Sequence, residues 1–111
     1  MSEYAADLDA VRAAGRLAGF AHRTPVATCR ALDERAGRRL FFKCEQLQKV
    51  GAFKFRGAWN AVSLLPEDVA QRGVVTHSSG NHGQALALAA SLRSIPAHVV
   101  VPANATRSKK D

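Results

Sequence analysis

Long apolar runs are missing from this sequence. No stretch approaches the roughly 18 consecutive apolar residues a membrane-spanning helix needs, so a helical span is not expected. Cysteine is scarce. Cys29 and Cys44 are the only two, and without a secretory leader such a pair reads as reduced thiols rather than a disulfide framework. The first residues, Met1-Ser2-Glu3-Tyr4, are polar and lead into a mixed helix instead of an apolar leader. The expectation is a cytoplasmic protein. His22 has no Cys or His partner at a ligand interval, and no metal is expected. Aromatic residues make up 6% and are mostly Phe within apolar runs, not stacking platforms between basic residues. Acidic residues are outnumbered, with 9 Asp and Glu against 16 Lys and Arg, for a net charge of +7. That balance suits a nucleic-acid partner. The basic residues are dispersed, however, and adjacent only at Arg38-Arg39 and Lys109-Lys110, so no nucleic acid is expected. Internal repeats and low-complexity segments are absent.

What is present is 111 residues, 47% apolar and 23% charged, enough for one small core. Residues 7–18 carry Leu8, Val11, Ala14 and Leu17 on one helical stripe, with Asp7 as cap and Gly19 as stop. Residues 22–26 are extended, because Thr24 precedes Pro25. Residues 33–39 read as a charged, solvated turn before a strand over 40–45. A helix runs from Lys54 to about Leu65, with Phe55, Ala58, Trp59 and Val62 as its buried stripe. Pro66-Glu67-Asp68 caps a short turn, and Gly73 enters a strand over 74–77. A helix over 84–94, apolar nearly all round, leads to a strand over 97–101. The result is a β-α-β step and an α/β fold. A turn over 102–106 follows, and residues 107–111 begin another helix.

Two stretches carry chemistry. In Lys49-Val50-Gly51-Ala52-Phe53-Lys54-Phe55-Arg56-Gly57-Ala58, Lys54 stands at a helix start between two phenylalanines. An amine held among apolar groups loses its preference for the charged form and becomes a nucleophile toward carbonyls. Gly57, Ala58 and Ala61 form a small-residue face beside it, with room for a flat ring. Taken alone, the residue type favours a solvated helix-start lysine. The second stretch, Ser78-Ser79-Gly80-Asn81-His82-Gly83, joins a strand to a buried helix. Helix-front N–H groups, glycines, serine hydroxyls and an amide suit a carboxylate or a phosphate. The pattern is neither GxGxxG nor a P-loop, and an ordinary capped turn uses the same residues.

Together the stretches resemble a known family. Residues 44–58, read as Cys-Glu-Gln-Leu-Gln-Lys and Gly-Ala-Phe-Lys-Phe-Arg-Gly-Ala, resemble the lysine motif of pyridoxal-phosphate enzymes of fold type II. Residues 76–86, Thr-His-Ser-Ser-Gly-Asn-His-Gly-Gln-Ala-Leu, resemble the asparagine loop of the serine/threonine dehydratase and serine racemase branch. The threo-3-hydroxyaspartate dehydratases lie beside that branch. The resemblance implies the N-terminal fragment of a tryptophan-synthase-β-like, two-domain α/β fold. Residues 1–73 would belong to the large cofactor domain, and 74–111 would open the small one. It implies that Lys54 holds the cofactor as a Schiff base and removes the substrate α-proton. Phe53 would pack near the ring and Asn81 would bond its phenolic oxygen. Ser78, Ser79, Gly80, Asn81 and His82 would receive the substrate carboxylate. Ser79 would face the opposite side of Cα, where a racemase needs an acid or base.

The implied activity is an ammonia-lyase of the threonine/serine dehydratase type, turning a small hydroxy amino acid into a 2-oxo acid and ammonia. Serine racemase and threo-3-hydroxyaspartate dehydratase are the alternatives. A non-catalytic basic binding fragment is the reading from another class. Relatives are much longer and homo-oligomeric, and their glycine-rich phosphate cradle lies beyond the equivalent of Asp111. Weak cofactor binding, no catalysis by these residues alone, and exposed apolar strand edges are therefore expected.

Overall fold

A computed structural model describes residues 10–105. The expected cap Asp7 and the expected helix over 107–111 lie outside the described residues. Helix α1 covers Ala10–Leu17, and the chain leaves it through Gly19 at φ +80°, the left-handed stop that glycine permits. Strands β1 (Val26–Ala27) and β2 (Phe42–Lys43) pair antiparallel, Val26 opposite Lys43. Only two residues of the expected strand over 40–45 are in β2. The chain then tightens into two 3-10 turns, Glu45–Leu47 and Lys49–Gly51.

Helix α2, Arg30–Ala36, corrects the reading of residues 33–39 as a turn. It has no buried residue and so no apolar stripe to betray it. Local bonds hold it instead: Gly37 closes it at φ +65°, and Asp33 Oδ1 accepts from Leu40 N at 2.8 Å.

Helix α3 spans Lys54–Ser63 and buries Phe55, Ala58, Trp59 and Val62, the four stripe positions. Burial of side chains such as Phe55 and Val62 contributes about 1.5–3 kcal/mol each. Helix α4, Glu67–Ala70, is the short turn expected after Pro66. Strands β3 (Val74–His77) and β4 (Ala97–Val100) pair in parallel, Val74 opposite Ala97. Helix α5, Asn81–Leu92, crosses between them and completes the β-α-β step. It begins three residues before the expected Gln84. It is also not buried all round: Gly83, Ala85, Leu86, Ala89 and Ala90 are buried, while Leu92 is exposed.

One core forms where α3 and α5 face each other, with Ala70 and Ile95 closing its ends. Helix α1 docks on α3 through Trp59, whose Nε1 donates to Arg16 O at 2.9 Å and whose ring stacks on Phe20 at 4.0 Å. One face of the β3–β4 pair leaves Val75 and Val100 exposed, with no helix packed over it among the described residues.

Candidate active site

The turn before α3 sets where Lys54 stands. Gln48, 3% exposed, clamps the connector: its Oε1 accepts from His22 N at 2.9 Å and Lys49 N at 3.0 Å, and its Nε2 donates to His22 O at 2.9 Å. Val50 and Gly51 then take φ of +58° and +66°. A β-branched residue in that region stores about 1–3 kcal/mol of strain. Val50 holds there because its side chain packs against the core. Ala52 is extended, and Phe53 enters α3 without a side-chain cap.

Lys54 is the first residue of α3 and is exposed. Its Nζ lies 5.1 Å from the Phe53 ring centroid, and Phe53 is itself 60% exposed. The desolvating apolar surroundings expected from the two phenylalanines are therefore not formed by these residues. Phe55 turns the other way, into the core.

Phe53, Lys54, Arg56, Gly57, Ala58 and His82 line one open cleft of about 340 Å³. A second cleft of about 290 Å³ shares Gly57, Ala58 and His82 and runs on past Ala61 toward Thr76 and Leu86. The small-residue face thus borders open space, and a Cβ built on Gly57 meets nothing within 4 Å.

The first turn of α5 borders this space through His82, and the loop from β3 leads into that turn. Ser78 Oγ accepts from Gly80 N at 3.2 Å and Gly83 N at 3.0 Å, which is why α5 starts at Asn81. Those bonds engage Ser78 in shaping the loop. Backbone N–H groups of Ser79, Asn81 and His82 have no partner among the described residues. Those of Asn81 and His82 are open donors of a helix front, and that of Ser79 lies just before it. His82 shares the cleft with Phe53 and Lys54; Ser78, Ser79 and Gly80 stand on the loop before α5, Asn81 is its first residue, and none of the four lines the cleft.

Residue-by-residue reading missed a polar knot behind Lys54. Arg56 Nε donates to Glu45 Oε2 at 2.8 Å and its Nη2 to Oε1 at 2.7 Å. Thr24 Oγ1 donates to Glu45 Oε1 at 2.5 Å. The Arg56 guanidinium, with Thr24 and Gln48, outweighs desolvation and holds the Glu45 carboxyl down at about 2. Opposite charges 11 residues apart have no periodic signature, so only the motif containing both could have flagged them.

The pyridoxal-phosphate dependent enzyme family matches residues 17–111. The chain belongs to that family. Within it, the chain is 56% identical over 110 residues to serine racemase of Arabidopsis thaliana, covering 98% of this chain and 33% of that protein. It is 54% identical over 101 residues to L-threo-3-hydroxyaspartate ammonia-lyase of a Pseudomonas species, covering 91% and 32%. The structure of maize serine racemase superposes with a TM-score of 0.86 at 54% identity, covering 90% of this chain and 30% of that one. The chain thus spans about a third of the length of its curated relatives.

The family implies pyridoxal phosphate, and these residues fit the ring end of that group. A primary amine borders a cleft floored by Gly57 and Ala58, and His82, whose N–H has no partner among the described residues, lines the same cleft. No metal-type cluster of His, Cys, Asp and Glu occurs among the described residues, and none of their helices is long and apolar enough to cross a membrane.

Proposed function

We propose that the whole protein is a pyridoxal-phosphate-dependent ammonia-lyase acting at Cα of a small hydroxy amino acid. The observation that carries this reading is the shared cleft. Lys54 and His82 line it together, and the N–H groups of His82 and of its sequence neighbours Ser79 and Asn81 have no partner among the described residues, which supports a carboxylate site there. In this reading residues 1–73 belong to the larger domain, 74–111 open the smaller one, and the protein is a cytoplasmic homo-oligomer.

Lys54 would hold the cofactor and, as a free amine, would take the α-proton. Ser79, Asn81 and His82 fix the substrate carboxylate, which orients the Cα–H bond toward Lys54. Phe53 would pack near the ring of bound pyridoxal phosphate, and Asn81 would hydrogen-bond its phenolic oxygen. Bound pyridoxal phosphate supplies an electron sink for the charge left on Cα. Loss of the β-hydroxyl as water, then addition of water at the C–N carbon, gives a 2-oxo acid and ammonium.

Racemisation is the second reading. Ser79 is exposed, and its side chain has no hydrogen-bond partner among the described residues, so its hydroxyl is available as acid or base. The similarity to serine racemases points the same way.

Borohydride reduction with pyridoxal phosphate, followed by peptide mass spectrometry, is expected to leave a pyridoxyl group on Lys54 and none in Lys54→Ala. Absence of that label in the full-length protein would overturn the reading. Assays of L-serine, L-threonine and threo-3-hydroxyaspartate for 2-oxo acid and for D-serine then separate the two activities. Ser79→Ala is expected to cut D-serine formation by on the order of 10²-fold while 2-oxo acid formation changes far less.

A further inference from the structure

We propose that the Glu45–Arg56 pair, with Thr24 and Gln48 about it, is the positioning device that aims Lys54 into the cleft. The inference rests on the reading of Lys54 as the cofactor lysine. Lys54 makes no side-chain hydrogen bond among the described residues; its Nζ lies over the Phe53 ring. The amine therefore inherits its place from the backbone at the start of α3. That backbone has little local support. Phe53 provides no cap, and two left-handed residues, Val50 and Gly51, lie within four residues of Lys54.

Support comes from two residues further on. Arg56, on the first turn of α3 and itself a cleft-lining residue, grips both oxygens of Glu45 and also His22 O at 3.1 Å. Thr24 bonds the same carboxylate, and Gln48 ties His22 to Lys49. The first turn of α3, the turn preceding it and the connector 22–25 are so joined at one point. A planar fork on a carboxylate fixes direction as well as distance, which an ammonium does not. The side chains are 30% and 18% exposed, so water competes weakly for them.

Arg56→Lys and Glu45→Gln test this against Arg93→Gln, which loosens the opposite end of α3. Measured for each in the full-length protein are urea stability, the rate of pyridoxyl labelling at Lys54, and amide hydrogen exchange. Arg56→Lys and Glu45→Gln are expected to slow Lys54 labelling about tenfold or more, and to speed exchange of residues 53–57 by a similar factor. Arg93→Gln, at comparable loss of stability, leaves both unchanged. Equal slowing in Arg93→Gln, or labelling within about twofold of wild type in the pair variants, overturns the proposal. A wild-type protein that takes no cofactor defeats the cofactor reading instead. The exchange data then decide: opening of residues 53–57 in the pair variants alone sustains positioning, and opening shared with Arg93→Gln overturns it.

Discussion

Gly83, the third residue of α5, lies so close to β4 that a Cβ built there meets Val99 Cγ1 at 2.9 Å and Ser78 Cβ at 3.3 Å. Its side of α5 is also where Ser78 Oγ accepts the Gly83 N–H. A methyl group would push the loop and the helix apart. Gly83→Ala is expected to destabilise by about 1–3 kcal/mol in urea unfolding. Because the nearest atom belongs to a side chain, Gly83→Ala combined with Val99→Ala recovers part of that loss relative to the sum of the two single variants. Gly73 differs in kind. Its Cβ would meet Pro96 O at 2.6 Å, a backbone atom, and its φ is +83°. Gly73→Ala is expected to cost on the order of 3 kcal/mol, with no rescue from trimming neighbours.

Helices α3 and α5 meet at a second point, far from Lys54. Arg93, just past the end of α5, donates from Nη1 to Val62 O and from Nη2 to Leu65 O at 2.6 Å, with Glu67 Oε2 at 3.4 Å. These carbonyls close the C-terminal end of α3, where the helix dipole favours a cation. Arg93→Gln is expected to lower stability by about 1–3 kcal/mol and to speed amide exchange in residues 60–65 before the core of α5 opens. No sequence period announces Arg93, since its partners are backbone oxygens. Periodicity did expose α3, because Phe55, Ala58, Trp59 and Val62 all face one core. Strand β3 has the expected bounds and β4 ends one residue early, at Val100. Helix α2 escaped, since a helix that buries nothing has no stripe. Helix α5 starts three residues before the expected Gln84 because Ser78 Oγ, outside the apolar pattern, accepts the Gly83 N–H. At the site, the two motifs named the residues, and the fold adds that Lys54, Phe53 and His82 share a cleft. Desolvation of Lys54 was inferred from neighbours in sequence, yet the neighbour that packs, Phe55, points away from it.

At the scale of the whole molecule, acid acts on the chain twice. The net charge of +7 rises as carboxylates and histidines take up protons, and like charges then repel. Separately, Glu45 moves from an ordinary value of 4.5 to about 2 on folding. As pH falls, the unfolded chain binds that proton first, so protonation favours unfolding. The contribution of Glu45 is full above about pH 4.5 and fades toward about pH 2. Glu67, lowered by its bond from Gln71 and then by Arg93, works in the same direction from a fully exposed position. Salt separates these effects. At about 1 M the screening length is only about 3 Å, which suppresses general repulsion and exposed pairs such as that of Glu67. The half-sheltered Glu45–Arg56 contact at 2.7 Å is screened much less. Urea midpoints at high salt are therefore expected to fall between about pH 6 and about pH 3 by an amount equivalent to on the order of 1–2 kcal/mol. Glu45→Gln, already less stable at neutral pH, should show little of that slope. A slope in Glu45→Gln as steep as in the wild type would mean that acid sensitivity comes from total charge and not from the pair behind Lys54.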